Sequence, residues 1–329
     1  MSQITNSTHT ETIIGWTDKP KDDPAVIRLR EHIEVHNGIK GLEIIQPAEI
    51  ERAVRVFRRD GFVVIGDILN NEQIDWLAAG CADVTKEILA LDPDNKGNRG
   101  SQRYSFGGCS LTRSQLHRAE WQMLLEIPLV HTLVTAIFGS PDYMLRAASG
   151  DFCLPGTIDY QPLHSDTSDW TEDAVRRFFS FSDPRGQLTV RDLPCPYIAV
   201  NFLPQDVTQL NGPTRQIPGT QNVRTPIPSL AEEPEWMRLS TVCPAPAGSI
   251  MIRDVRAWHG GTPNLSDATR SIPNLEFYAP WYREPTVPCI THQDFKKLSA
   301  LAQNAVRFLV ADSSEELLTG PTFRTIGGK

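Results

Sequence analysis

Long apolar runs are missing from this 329-residue chain. No segment reaches the roughly 18 consecutive apolar residues of a membrane-crossing helix, so no transmembrane span is expected. Clustered cysteine is missing too: Cys81, Cys109, Cys153, Cys195, Cys243 and Cys289 stand singly, with no C-x-x-C pair. That spacing reads as reduced thiols rather than a disulfide framework or a cysteine-ligated structural zinc. Positive charge is in deficit, the formal net charge being -8, which argues against a broad nucleic-acid or anionic-membrane surface but leaves room for a local basic pocket. The opening MSQITNSTHTETIIGW has neither the basic nor the apolar region of a secretory signal. The final Gly327-Gly328-Lys329 is not a peroxisomal address of the S-K-L type, so the cytoplasm is the expected location. Internal repeats and low-complexity tracts are absent.

What is present describes a globular protein. A hydrophobic fraction of 40% with 22% charged residues can bury a sizeable core. The expected organisation is an N-terminal arm over 1–46, one domain over 47–285, and a C-terminal helix and tail over 286–329. Within the arm, with its one short helix, His32, Glu34 and His36 form a rival metal set, for which a solvated polar stretch is the favoured reading. Ile50, Val54 and Phe57 recur at helical spacing until Asp60-Gly61, Phe62 to Ile65 reads as a buried strand, and Asn70 or Asn71 caps a second helix through Cys81. Residues 92–110 are turn formers and should be a loop, and 120–138 returns to helix with an interruption near Pro128. This helical module ends near residue 140. Beyond it, short apolar runs at 143–148, 152–154, 197–203, 239–243, 249–253 and 274–278 read as strands of a sandwich or jelly roll, so the fold class is mainly β with flanking helices. Residues 167–194 form a long insertion, a candidate lid carrying Trp170 and Phe178-Phe179. A helix is expected over 295–310, and a mobile tail beyond Thr319.

Gln161-Pro162-Leu163-His164-Ser165-Asp166 holds the chemistry of most interest. On a strand, His164 and Asp166 would share one face and could grip one metal ion. Four His-x-Asp/Glu triplets occur, at His9, His32, His164 and His292, against about one expected from eight histidines and 40 acidic residues, so spacing alone does not choose among them. His164 and Asp166 are distinguished by a downstream partner, His259 in Trp258-His259-Gly260-Gly261. Two histidines and one carboxylate on one side of an ion match the facial triad of non-haem Fe(II) oxygenases. The turn-rich run after His259 leads to Arg270, whose planar fork suits a carboxylate and implies an acidic cosubstrate.

These stretches, with Phe57-Arg58-Arg59-Asp60-Gly61-Phe62-Val63-Val64 and the run Asn211-Gly212-Pro213-Thr214-Arg215-Gln216-Ile217-Pro218-Gly219, resemble the phytanoyl-CoA dioxygenase family of Fe(II)- and 2-oxoglutarate-dependent oxygenases. The resemblance runs from about Pro47 to Trp281 and implies a double-stranded β-helix, a cupin-like jelly roll. It implies His164, Asp166 and His259 as iron ligands and Arg270 as anchor of the distal carboxylate of 2-oxoglutarate. Gln161 is implied as a polar contact to the same cosubstrate, with Thr214 and Arg215 as further contacts; Arg146 is a candidate for the metal-proximal carboxylate and equally for a salt-bridge partner on the sheet surface. Thr220-Gln221 departs from the serine and histidine that commonly follow Pro-Gly in the family.

The activity implied is oxidation of a C–H bond with release of succinate and CO2, hydroxylation being the default. O2 is the oxidant and ascorbate a candidate reductant. Asp166 disfavours halogenation, because related halogenases lack that carboxylate. The expected substrate is a small, largely apolar organic molecule, with secondary-metabolite biosynthesis as one setting; no nucleic acid or membrane partner is expected, and a homodimer is a candidate assembly. Arg103, Tyr104, Asn201, Trp281 and Tyr282 are candidate pocket residues. The competing readings are a catalytically silent jelly roll that binds metal or ligand, and a zinc hydrolase using the same ligands.

Overall fold

A computed structural model describes residues 14–169, 181–312 and 316–327. The arm contains helix α1 (Pro24–His36), longer than its polar composition suggests. Asp23 caps it by accepting from the Ala25 amide at 2.7 Å, and Pro24 stands in the first turn, where its missing N–H is harmless. On this helix Glu34 does not face the two histidines, and His32 pairs with the exposed Glu235, which removes the rival metal set.

The next elements are β1 (Ile44–Ile45), α2 (Ile50–Asp60), β2 (Phe62–Ile65) and α3 (Asn71–Leu89). Helix α2 buries Ala53, Val54, Val56 and Phe57 and stops at Gly61, where φ is 80° and a Cβ would lie 2.5 Å from Gln221 Oε1. The left-handed backbone therefore favours glycine, and the Gln221 side chain closes over the space a Cβ would take. Asn70, with Gln73, forms a capping box at the start of α3. Inside the turn-rich 92–110 segment lies a short strand, β3 (Arg103–Ser105), and the expected 120–138 helix is two: α4 (Ala119–Leu125) and α5 (Pro128–Phe138). The helical module thus gives β2 and β3 to the main sheet.

The remaining strands are β4 (Met144–Cys153), β5 (Tyr197–Phe202), β6 (Arg215–Gln216), β7 (Ile250–Asp254), β8 (His259–Gly260) and β9 (Arg270–Tyr278), with α6 (Glu235–Leu239) before β7. Two expected strands fuse into β4. The one expected over 239–243 does not form: α6 runs to Leu239, and a single bridge from Thr241 to Arg215 remains. Pro244 and Pro246, which lack amide donors, follow directly. The expected C-terminal helix is divided into α7 (His292–Phe295) and α8 (Ala300–Val306), because Ser299 caps α8 by accepting from Ala302 N. The tail is tied down rather than free: Pro321 bridges Ser110, and α9 (Phe323–Gly327) follows, with the Thr325 hydroxyl donating to the Cys109 carbonyl.

Seven strands form one sheet in the order β1-β2-β7-β5-β9-β4-β3, all pairs antiparallel except β1-β2. A smaller layer consists of β6 and β8, extended by single bridges from Thr157, His164, Asn211 and Asn264. The architecture is the double-stranded β-helix, with helices packed on the outer face of the large sheet. There Leu77 and Ile88 of α3, Trp121 and Leu124 of α4 and Leu133 of α5 meet Phe152, Val200, Ile252, Leu275 and Phe277 in one core. Strand alternation does the rest: Leu275 and Phe277 of β9 enter this core, while Arg270, Ile272, Asn274 and Glu276 face a cavity on the other side. No single helix among the described residues is long and apolar enough to cross a membrane.

Burial pushes the Cys109 thiol up to about 12 and the Cys289 thiol up to about 11. At pH 8 both stay protonated and enclosed, so iodoacetamide should leave them unmodified in the native protein and alkylate them once urea unfolds it, as peptide mass mapping would record.

Candidate metal centre

His164 does not lie in a regular strand. It meets His259 in an isolated bridge, His164 N donating to His259 O at 3.0 Å and His259 N to His164 O at 2.9 Å. Asp166 follows on a bend, its amide donating to the Val255 carbonyl at 2.8 Å. The shared strand face expected for His164 and Asp166 is thus replaced by a bridge and a bend, which bring the same side chains together. The imidazole centroids are 4.2 Å apart, and one ligand atom from each of the three residues falls within 4.8 Å of the others. His164 Nε2 is 3.9 Å from Asp166 Oδ1, and His259 Nε2 is 3.7 Å from Asp166 Oδ2.

The rings are oriented alike. His164 Nδ1 lies 3.0 Å from the Pro162 carbonyl and His259 Nδ1 3.1 Å from the Ala257 carbonyl. With Nδ1–H donating to these carbonyls, both Nε2 lone pairs face the carboxylate, the tautomer a metal ligand needs. The loop before His259 is itself held: Trp258 N donates to the Thr220 hydroxyl at 2.8 Å, and Ile217 N donates to Trp258 O at 3.0 Å. Thr220 therefore supplies a hydroxyl at the family's serine position, while Gln221 fastens to the Arg58 carbonyl at the end of α2.

Enclosure by protein would raise the pKa of Asp166, but Arg253 at 2.8 Å, with the two imidazoles, holds the carboxyl well below its usual range. Burial first, and the Arg253 charge second, hold His259 well below the usual histidine range. A neutral imidazole beside an ionised carboxylate is the state that binds a divalent ion. Sequence reasoning missed Arg253. Its signal was the alternation in Ile250–Asp254, where Ile250 and Ile252 enter the core and Met251 and Arg253 face the cavity.

A cavity of about 110 Å³ adjoins the triad, lined in part by Gln161, Thr214, Asn201, Asn274, Arg103 and Arg270. Arg103 and Arg270 both register with Cys153, one on each side of β4, so they lie in one row of the sheet. They are 6% and 5% exposed, and among the described residues neither makes an ion pair with an acid. Arg270 donates through Nε to Gly212 O at 2.9 Å, and Arg103 donates to the carbonyls of Asp159 and Thr262. Burial, and to a smaller degree the nearby Arg103 charge, lower the pKa of Arg270. An unpaired cationic row of this kind calls for an anion.

Arg215 and Arg146 stand elsewhere. Arg215 is fully buried in a two-pronged pair with Glu233, at 2.5 and 3.1 Å, and donates to the Gln161 carbonyl, so it braces the loop that carries Gln161. Arg146 is paired with Glu276 and Glu284 and lies over the Tyr197 ring. Tyr282 stacks on Tyr197 and donates to Glu284, and Trp281 is exposed. Trp170 and Phe178-Phe179 lie outside the described residues. The segment after them is tied to the metal loop: Arg191 donates to the carbonyls of Thr220, Gln221 and Arg256, and Arg256 pairs with Asp254.

Two imidazoles and a carboxylate in a sheet-lined cavity form a group that could hold a metal ion, with the donor set of the 2-His-1-carboxylate kind. The chain belongs to the phytanoyl-CoA dioxygenase (PhyH) family, whose model matches residues 57–272. Similar solved structures include AviO1 from Streptomyces viridochromogenes Tue57, at 20% identity over 72% of this chain and 97% of that one, with a TM-score of 0.46. HygX from Streptomyces hygroscopicus, determined with nickel, 2-oxoglutarate and hygromycin B bound, is similar at 14% identity over 72% of this chain and 90% of its own, with a TM-score of 0.49. The epimerase SnoN from nogalamycin biosynthesis, in complex with Fe3+, alpha ketoglutarate and nogalamycin RO, matches at 16% identity over 84% and 96% of the two chains, with a TM-score of 0.47.

Removing Glu233 leaves a buried guanidinium without its counter-charge. Glu233→Ala should therefore lower unfolding stability by about 3–5 kcal/mol, and replacing both partners by methionine should recover much of that loss. Urea denaturation of the two variants measures the difference.

Proposed function

We propose that the protein is an Fe(II)- and 2-oxoglutarate-dependent dioxygenase that oxidises a C–H bond of a small organic molecule, with hydroxylation as its default outcome. The observation that carries this reading is the row of Arg103 and Arg270, neither ion-paired among the described residues, in the same cavity as the triad. The triad supplies a hard carboxylate and two borderline imidazoles without a thiolate, a donor set suited to Fe(II). His164, Asp166 and His259 would hold that ion, and when bound it would supply O2 activation coupled to decarboxylation of the 2-oxo acid. Arg270, steadied by Gly212, keeps its fork for the distal carboxylate, with Arg103 beside it. Gln161 also fixes the wall, its Oε1 accepting from Gly261 N at 3.0 Å. Asn274 Oδ1 is buried and accepts no hydrogen bond among the described residues, so it is ready for a donor on a bound molecule.

The described walls narrow the substrate. The cavity is smaller than the roughly 300–1,000 Å³ of drug-sized ligand sites, so its deep part suits a small acid and the substrate must approach from the rim. Arg99, Asp151 and Glu276 line it as well, a more polar wall than the largely apolar substrate expected from the sequence would call for. A substrate combining a carbon framework with hydrogen-bonding groups fits better than a purely apolar one.

Purified protein with Fe(II), O2 and 2-oxoglutarate should form succinate, and His164→Ala should abolish both iron binding and succinate formation. Arg270→Ala, which removes a charged hydrogen-bond partner of about 1.5–3 kcal/mol, should raise KM for 2-oxoglutarate about 10- to 150-fold. Absence of iron binding and of succinate across a substrate panel would instead favour a silent binding protein.

A further inference from the structure

Arg253 contacts neither end of the acid-binding row, yet it is 7% exposed and has a place beside every part of the triad except His164. Its Nη1 donates to Asp166 Oδ2 at 2.8 Å and lies 3.1 Å from His259 Nδ1. A guanidinium is always a donor and the Ala257 carbonyl always an acceptor, so His259 Nδ1 can satisfy one of them only. When Nε2 is the ligand atom, Nδ1 carries the proton and bonds Ala257. The lasting bond of Arg253 is then the one to Asp166.

That bond has a geometric consequence. Asp166 presents Oδ1 towards His164 and Oδ2 towards His259, and a free carboxylate could offer an ion both oxygens. We propose that Arg253 is the positioning residue of the metal centre: by holding Asp166 Oδ2 it leaves Oδ1 as the single carboxylate ligand and keeps the triad assembled before an ion arrives. The strand supports this. Arg253 registers with Ala199 on β5 and Phe62 on β2, so its backbone is paired on both edges while its side chain turns to the cavity. A cation placed so close also repels a divalent ion. Orientation must outweigh that repulsion for the arginine to favour binding, and this makes the sign of its effect a test.

The inference rests on the metal reading above, and one titration separates the two. Co(II) is titrated anaerobically into the metal-free wild type, Arg253→Met and Arg253→Lys, with far-UV circular dichroism confirming the fold of each. Affinity and the visible d–d band are read, the band intensity reporting coordination number. Wild type should bind one equivalent. Folded Arg253→Met should bind about 10- to 100-fold more weakly, as loss of a partner that orients a ligand generally does. Its d–d band should change as Asp166 becomes free to use both oxygens. Arg253→Lys, which keeps a donor and a charge, should restore part of the affinity and the wild-type band. Equal or tighter binding by Arg253→Met with an unchanged band would overturn the proposal, as would Arg253→Lys behaving like Arg253→Met. If Arg253→Met does not fold, Arg253→Lys decides alone: a band and affinity between those of wild type and the tenfold loss support the role, and a complete loss of both overturns it. A wild type that binds no Co(II) would overturn the metal reading, and this one with it.

Discussion

Two backbone hydrogen bonds between His164 and His259 hold this protein's chemistry together. Each histidine arrives on a separate, short and irregular segment, and neither segment has the length of strand that would fix it alone. Their mutual bridge sets the ring separation, and the Thr220 hydroxyl and the Val255 carbonyl extend the same network to Trp258 and Asp166. Backbone pairing is suited to this task because it fixes positions whatever the side chains later bind. The imidazoles are thereby left with one nitrogen each for a carbonyl and one for an ion.

The larger sheet serves a second purpose beyond support. On β9 and β7 Leu275, Phe277, Ile250 and Ile252 enter the helix-covered core, while Asn274, Glu276, Met251 and Arg253 alternate with them on the cavity wall, joined by Asn201 of β5. The cationic end of the cavity is therefore backed by apolar packing that excludes water, which raises the need of Arg103 and Arg270 for an anion. Arg215 and Arg146 show the contrasting arrangement. Each has its own acids, and each stabilises a loop or strand instead of waiting for a ligand.

Much of this was legible in the sequence, and the reasons differ by element. His164, Asp166, His259 and Arg270 could be selected together because chemistry restricts the residue types and the turn-rich run after His259 restricts their order. Capped and glycine-stopped elements such as α2 and α3 were equally plain, since Asn70, Asp60 and Gly61 act locally. What was not legible depends on partners far away in the chain. The neighbours of Arg215 and Arg146 are Glu233, Glu276 and Glu284, and no local pattern distinguishes an arginine with a buried acid from one without. Arg253 was hidden for the same reason, its role arising from a carboxylate on another segment. The strand expected near 241 failed because hydrophobic content indicates burial and not strand pairing: α6 takes the segment as far as Leu239, and Pro244 and Pro246, which lack amide donors, follow.

Along strand β9, Asn274 and Glu276 alternate with Leu275 and Phe277 of the core, and Arg270 stands at the start of the same cavity-facing set. A one-residue slip of this strand would turn Asn274 and Glu276 towards the core and Leu275 and Phe277 towards the cavity at once. Variation in what the protein accepts is consequently confined to two routes: exchange of side chains at fixed positions along β9, or changes of length in the connections at 92–102 and 181–194, which carry no such alternation. The strand behaves as a fixed ruler, and diversification of the pocket must happen around it.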